Sequence, residues 1–105
     1  MYHARVIGGF VCLPETAESL ELLAMHGAWC IRAGQEAARS KLWLRPDGSA
    51  VHCYAPGDGY LSFVAITERR ATNCATITEQ EARAICPDGW QVYHDGPYFR
   101  ARRVV

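Results

Sequence analysis

The last third of the chain carries its most regular alternation of apolar and polar positions. Thr78 and Glu81 have the spacing of a capping box, in which each side chain binds a backbone amide that the first helical turn leaves unpaired. Because Pro87 cannot continue a helix, the pattern predicts a short helix that begins after Thr78 and ends near Cys86. Residues 90–105 then alternate with a period of two, which predicts a β-hairpin.

The alternation along this hairpin also predicts which side chains face solvent. The chain turns at Asp95-Gly96-Pro97, and on the return strand Phe99 and Ala101 suit the core. The opposite side of the hairpin, here called the ribbon face, then presents two tyrosines and two arginines: Tyr93, Tyr98, Arg100 and Arg102. No other segment of the sequence combines exposed aromatic rings with clustered positive charge, so the ribbon face is the first candidate for a functional surface.

Apolar spacing predicts a second helix nearer the start of the chain, with Thr16 as its N-cap and Gly27 as its C-cap. Four residues of this predicted helix recur at i, i+3, i+4 and i+7, which is the spacing of one helical face: Leu20, Leu23, Ala24 and Gly27. For residues 28–40 the sequence allows either strand or helix. Their first half could form a short strand, whereas their second half has helix-forming composition.

Apolar runs around these helices predict strands. Residues 3–12 form the first of them, and a hairpin is expected where Pro46-Asp47-Gly48 separates the runs at 42–45 and 50–54. A further strand is expected at 60–67. With the C-terminal hairpin, these elements are typical of an α+β fold.

Length and composition agree with that fold. The chain has 105 residues, half of them apolar, which is the size and balance of one globular domain. We therefore expect a single α+β domain over residues 1–105. Its antiparallel sheet is expected to have five or six strands, with two short helices packed on one face.

The charge balance limits the classes of partner. Lysines and arginines number 11, aspartates and glutamates also number 11, and the formal net charge is zero. A neutral chain argues against charge-driven coating of nucleic acid or of an anionic membrane, although a local basic patch is still compatible with it. No stretch approaches the roughly 20 apolar residues of a membrane span. Five scattered cysteines without paired spacing predict reduced thiols and a cytoplasmic location.

Cysteine with histidine is the first combination to consider for catalysis or metal binding. His52 and Cys53 are neighbours in a predicted strand, so their side chains point to opposite faces. His26 and Cys30 have i, i+4 spacing, but the predicted helix end at Gly27 lies between them. The sequence has no CxxC or HxxxH pair, with which zinc sites usually begin. We therefore expect no catalytic residue, metal, cofactor or enzymatic activity.

Two further charged groups are candidates for binding. Glu15, Glu18 and Glu21 recur every three residues and form either a solvated helix face or an acidic stripe for a basic partner groove. Arg69 and Arg70 lie in a polar loop and either extend the ribbon face or are solvated. The candidate binding residues are therefore Tyr93, Tyr98, Arg100, Arg102, Arg69, Arg70, Glu18 and Glu21.

The ribbon face has two functional interpretations and one structural interpretation. Tyrosines can stack on nucleic-acid bases while guanidinium groups hold phosphates. Tyrosine and arginine are also frequent anchors of protein interfaces, and the zero net charge favours a protein partner. As a purely structural feature, arginines on an edge ribbon prevent aggregation between strands, while an open edge would also allow a homodimer.

Three segments of the C-terminal third resemble small proteins encoded by phages and prophages, and among these the anti-CRISPR proteins: Ile77–Ile85, Gly89–Tyr93 and Tyr98–Arg102. The resemblance implies a compact, stoichiometric inhibitor that blocks a host CRISPR–Cas complex by covering a nucleic-acid or partner site. Anti-CRISPR families share no signature sequence, so no functional residue is carried over. We therefore expect a non-enzymatic protein-binding inhibitor or adaptor, with a small nucleic-acid-binding domain that uses the same hairpin as the alternative.

Overall fold

The computed structural model describes residues 4–14, 17–37, 41–67, 70–72 and 74–104. In this part the chain forms nine strands: β1 (Arg5–Ile7), β2 (Phe10–Leu13), β3 (Glu36–Ala37), β4 (Leu42–Leu44), β5 (Ala50–Ala55), β6 (Leu61–Ile66), β7 (Ala71–Thr72), β8 (Trp90–Asp95) and β9 (Tyr98–Arg103). The two α-helices are α1 (Ala17–Arg32) and α2 (Glu79–Ile85), and a 3₁₀ turn covers Cys74–Thr76. Neither described α-helix has the length and apolar character that crossing a membrane requires.

All described strands join one antiparallel sheet. Seven of them follow the order β1-β2-β4-β5-β6-β9-β8, while β3 pairs with β5 and β7 pairs with β6 beside that path. The long pairing of β5 with β6 lies at the centre, and β1 and β8 form the two edges. The α+β class and the antiparallel sheet are confirmed, but the expected strand number of five or six is wrong.

Two features of the sequence explain the additional strands. Gly8 and Gly9 have φ values of 58° and 83°, so they turn the chain within the segment expected to form one strand. Ile7 pairs with Phe10 across this two-residue turn, which divides the segment into β1 and β2. The strands β3 and β7 have two residues each, too few for an alternating pattern to be recognised.

The two helices lie on opposite faces of the sheet, so the expectation that both pack on one face is wrong. Ile85 of α2 belongs to the core that contains Phe63, whereas Trp29 of α1 packs on the core that contains Val64. Phe63 and Val64 are neighbours on β6 and therefore point to opposite sides. All six residues of β6 are buried, which is the pattern of a strand covered on both faces.

The helix α1 continues past Gly27, which is an interior residue and not the expected C-cap. Residues 28–32 are helical, and the chain enters the short strand β3 after the turn that follows them. The expected N-cap, Thr16, lies outside the described residues. One glycine inside a helix costs about 1 kcal/mol relative to alanine, and the burial of Cys30 with the packing of Trp29 outweighs that cost.

The buried face of α1 also differs from the expected stripe. Leu20 is 49 % exposed and Ala24 is exposed, whereas His26 and Cys30 are 1 % exposed. Because these two side chains carry polar atoms, a search for apolar spacing does not identify them as core residues. Their burial depends on partners from the sheet that the sequence does not place beside them.

The predicted capping box and C-terminal hairpin are confirmed. The Thr78 hydroxyl accepts a hydrogen bond from the Glu81 amide at 3.2 Å, and the Glu81 carboxylate accepts one from the Thr78 amide at 3.0 Å. Both bonds of the capping box are therefore present at the start of α2. β8 and β9 form the expected hairpin over six residue pairs, with Gly96 in its turn at a φ of 62°.

Candidate binding surface

The register of the hairpin places the four predicted ribbon-face residues together. Tyr93 lies opposite Arg100, Gln91 opposite Arg102, and Asp95 opposite Tyr98, and directly opposite residues share a face. Val92 and Ala101 form an alternate pair that points to the α2 core. The ribbon face consequently lies on the α1 side of the sheet, beyond the strands that α1 covers.

Arg100 is a tethered side chain on this surface. Its guanidinium forms an ion pair with Asp58, a second contact of 3.5 Å with Asp95, and a hydrogen bond of 3.2 Å to the Ser62 hydroxyl. Only 17 % of the side chain is exposed. The hydrogen bond from Arg100 is the main reason that the pKa of Asp58 lies below its ordinary value. Arg100 therefore fixes the geometry of the surface more than it presents a mobile positive charge.

Tyr60 joins the ribbon face from the turn before β6. Its ring is 5.4 Å from the Arg100 guanidinium carbon and 6.2 Å from the ring of Tyr93, measured to centroids. The Arg102 guanidinium carbon lies 5.0 Å from the Tyr93 centroid. These contacts form a continuous row in the order Arg100, Tyr60, Tyr93, Arg102, in which the two tyrosine rings meet edge-on at 61°. Tyr60 is 42 % exposed. Tyr98, at the end of the hairpin, is 36 % exposed.

The charges described on the ribbon face cancel. Arg100 and Arg102 contribute two positive charges, while Asp58 and Asp95 contribute two negative charges. The surface is therefore aromatic and polar without a net charge. Sequence reasoning missed Tyr60 and Asp58, because only the pairing of β6 with β9 brings their turn beside the hairpin.

Of the other predicted binding residues, Arg70 does not extend this surface. Arg70 is exposed just before β7, which pairs with the Ile66 end of β6, whereas the hairpin pairs with the Leu61 end. At about 3.3 Å per residue, the two ends of β6 are roughly 17 Å apart. Glu21 is exposed on α1. Arg69 and the side chain of Glu18 lie outside the described part of the chain.

A buried chain of polar side chains connects α1 with β5. The Nδ1 atoms of His26 and His52 are 2.8 Å apart, and the Cys30 Sγ is 3.3 Å from the Nε2 of His26. The i, i+4 spacing of His26 and Cys30 indicates this contact in the sequence, but the helix end expected at Gly27 argued against it. His52 and Cys53 point to opposite faces as predicted, since Cys53 belongs to the α2 core.

The electrostatics of this buried chain argue against nucleophilic chemistry. Burial lowers the pKa of His26 to about 4 and raises the pKa of the Cys30 thiol to about 11. At neutral pH the imidazole is therefore uncharged and the thiol protonated, whereas a cysteine nucleophile requires a thiolate. Within the described ranges, no group of three or more His, Cys, Asp or Glu residues has the arrangement to hold a metal ion.

One buried ion pair connects the β4–β5 hairpin to α2. The Arg45 guanidinium donates to the two Glu81 carboxylate oxygens at 2.6 and 2.9 Å and to the Thr76 carbonyl at 2.8 Å. Burial alone would raise the pKa of Glu81, but hydrogen bonds from Arg45 and Thr78 outweigh it and hold the pKa below its usual value. This pair has a structural role, because the Glu81 side chain is 3 % exposed.

Comparison with known proteins indicates neither a family nor a function for the chain. No protein-family model matches the chain, and neither curated proteins nor solved structures give a significant match. The functional interpretation therefore depends on the geometry of the chain itself.

Proposed function

We propose that this chain is a non-enzymatic protein-binding module that acts as an inhibitor or adaptor through its ribbon face. The observation that supports this proposal is the row of contacts between two arginines and two tyrosines, whose positive charge Asp58 and Asp95 balance. Tyrosine and arginine dominate the residues whose truncation weakens protein interfaces most.

The restraint on the Arg100 side chain is a second observation that supports a binding function. A side chain held by Asp58, Ser62 and Asp95 has already lost most of its rotamer freedom before a partner arrives. Immobilising a long side chain on binding costs roughly 0.5–1.5 kcal/mol, and a pre-ordered surface avoids that loss. Tyr60 and Tyr93 are restrained in the same way by the cations stacked against them.

A small nucleic-acid-binding domain is the second candidate, and the exposed tyrosines are the observation that favours it. Aromatic rings stack on bases without sequence preference. Phosphate binding, however, requires free positive charge, and Asp58 and Asp95 already neutralise Arg100 on this surface. We therefore rank a protein partner above nucleic acid.

For the identity of the partner, we propose a host CRISPR–Cas complex, on the ground of the resemblance to phage-encoded inhibitors. An inhibitor of this kind needs a rigid contact surface and no chemistry of its own. If the proposal is correct, expression of the chain restores plasmid transformation in cells whose CRISPR–Cas system targets that plasmid, and Arg102→Ala fails to restore it. Failure of the wild-type chain across CRISPR–Cas types would contradict this identity.

Site-specific photo-crosslinking in cells tests the ribbon face independently of the partner's identity. A photoreactive amino acid replaces Tyr98 in one variant and Val6 in the matched control. Val6 is 71 % exposed on β1, the opposite edge of the sheet from β8. We expect a discrete cross-linked protein from position 98 only, and its loss when Tyr60→Ala and Arg102→Ala are added. Equal cross-linking from both positions, or none from position 98, would contradict the proposal.

A further inference from the structure

A small cavity of about 80 Å³ lies between the second half of α1 and the described residues at the end of β6 and the start of β7. Four side chains form its apolar wall: Met25, Trp29, Ile66 and Ala71. Arg32, in the last turn of α1, and Arg70, just before β7, also line it. Thr67 completes the described lining, so the recess is mainly apolar and two arginines contribute to it.

The described residues that line this cavity carry charge of one sign only. None of the described residues that line it is acidic, and the ion pairs formed in the described part of the chain involve neither Arg32 nor Arg70. Like charges at one recess repel each other, so a bound anion would be stabilised by both. The planar fork of N–H donors on a guanidinium matches the two oxygens of a carboxylate.

The wall of the cavity is fixed by aromatic contacts behind it. The Trp29 ring stacks on His26, with 5.7 Å between centroids and 23° between planes. It also meets Tyr54 edge-on, with 5.2 Å between centroids and 87° between planes. A ligand that packs against the exposed side of this indole therefore finds a preformed surface, as small-molecule sites usually provide.

We propose that this cavity binds a small organic carboxylate, whose apolar body packs against Trp29 and whose charged end lies between Arg32 and Arg70. A cavity of roughly 150 Å³ accommodates benzene, so the smaller recess suits a branched or linear body of about three or four carbons. The ribbon face does not share this site, because the cavity lies at the Ile66 end of β6. The proposal is thus independent of the protein-binding function.

Nuclear magnetic resonance with isovalerate as the probe tests the proposal directly. In a titration at constant ionic strength, the indole N–H of Trp29 and the Nε–H signals of Arg32 and Arg70 are expected to shift together. A ligand of this size has a dissociation constant on the order of 1 mM. Isovaleramide has the same shape without the charge, and inorganic phosphate has charge without the apolar body. Each is expected to bind about tenfold more weakly, because it lacks one of the two interactions.

Matched variants assign the binding to the two arginines. Arg32→Gln and Arg70→Gln are each expected to weaken isovalerate binding about tenfold, the effect of losing one charge-assisted contact. Arg5→Gln removes the same charge from β1 and is expected to change nothing. Unshifted backbone signals elsewhere establish that each variant is folded. The proposal is overturned if isovalerate shifts no signal at the cavity, if the amide or phosphate binds equally well, or if the arginine variants bind like the wild type.

Discussion

Asp58 and Arg100 form an ion pair between the turn before β6 and the last strand of the sheet, although they are 42 residues apart in the sequence. The pair converts a surface that looks basic in the sequence into a neutral one. It also restrains the guanidinium that stacks on Tyr60. The preference for a protein partner over nucleic acid therefore depends on this contact.

Asp58→Asn is expected to increase nucleic-acid binding. The substitution leaves the ribbon face with a net charge of one positive unit and removes one of the two carboxylates that contact the Arg100 guanidinium. For a single-stranded oligonucleotide, which the wild-type chain is expected to bind more weakly than micromolar, the slope of log affinity against log salt concentration should steepen by about 0.7. Fluorescence anisotropy at several salt concentrations measures this slope.

The control for that experiment is Asp88→Asn, which removes the same charge from an exposed turn between α2 and β8. Both variants change the net charge of the chain equally. If Asp88→Asn steepens the slope as much as Asp58→Asn, total charge and not the ribbon face determines binding, and the local account is wrong.

Arg45→Met is expected to destabilise the fold strongly. The variant leaves the buried Glu81 carboxylate without its ion-pair partner, and breaking a buried pair in this way typically costs about 3 kcal/mol. The matched control is Arg83→Met, which breaks the exposed pair of Arg83 with Glu79 and should cost less than about 0.5 kcal/mol. Urea denaturation gives both free energies of unfolding. Similar losses in the two variants would contradict a structural role for the buried pair.

The stability of the chain is expected to fall as the pH falls below 6.5. Burial lowers the pKa of His26 from 6.5 to about 4, so the unfolded chain binds the proton more readily than the folded chain in this window. The contribution of the neutral imidazole is therefore lost progressively on acidification. Between pH 6.5 and about 5 the loss should be about 2 kcal/mol.

Variants of two histidines separate this effect from general acid sensitivity. His26→Asn should lower stability at neutral pH but remove most of the dependence between pH 6.5 and about 5. His94→Asn, at an exposed position of β8, should leave the dependence unchanged. Urea denaturation across this range measures both, and a pH dependence that persists without His26 would show that another group is responsible.

The C-terminal third was predictable because its signals are local. The capping box of Thr78 and Glu81 involves neighbours within one helical turn, and the alternation of Phe99 and Ala101 with Tyr98 and Arg100 fixes the hairpin register. Such patterns depend on geometry within a few residues. They identified the four ribbon-face side chains without knowledge of the sheet order.

The interactions that define the site were not predictable, because they join distant segments. Asp58 and Tyr60 reach the ribbon face only through the pairing of β6 with β9. His26 meets His52 because α1 packs on β5, and Cys30 reaches His26 because α1 continues through Gly27. The expectation that both helices pack on one face of the sheet was wrong because it also concerns distant segments. The two faces of β6 are buried by two different helices, one from each half of the chain.

Nucleic-acid titration under two salt conditions tests most directly whether the ribbon face is a protein-binding surface. Labelled single-stranded DNA, duplex DNA and RNA are each titrated with the wild-type chain and with the Arg100→Ala/Arg102→Ala variant, and anisotropy is measured at about 50 and 200 mM salt. Our account predicts no binding in the micromolar range for any of the three, and no difference between the proteins. Micromolar binding that weakens with salt and disappears in the variant would contradict it and identify the ribbon face as a nucleic-acid-binding surface.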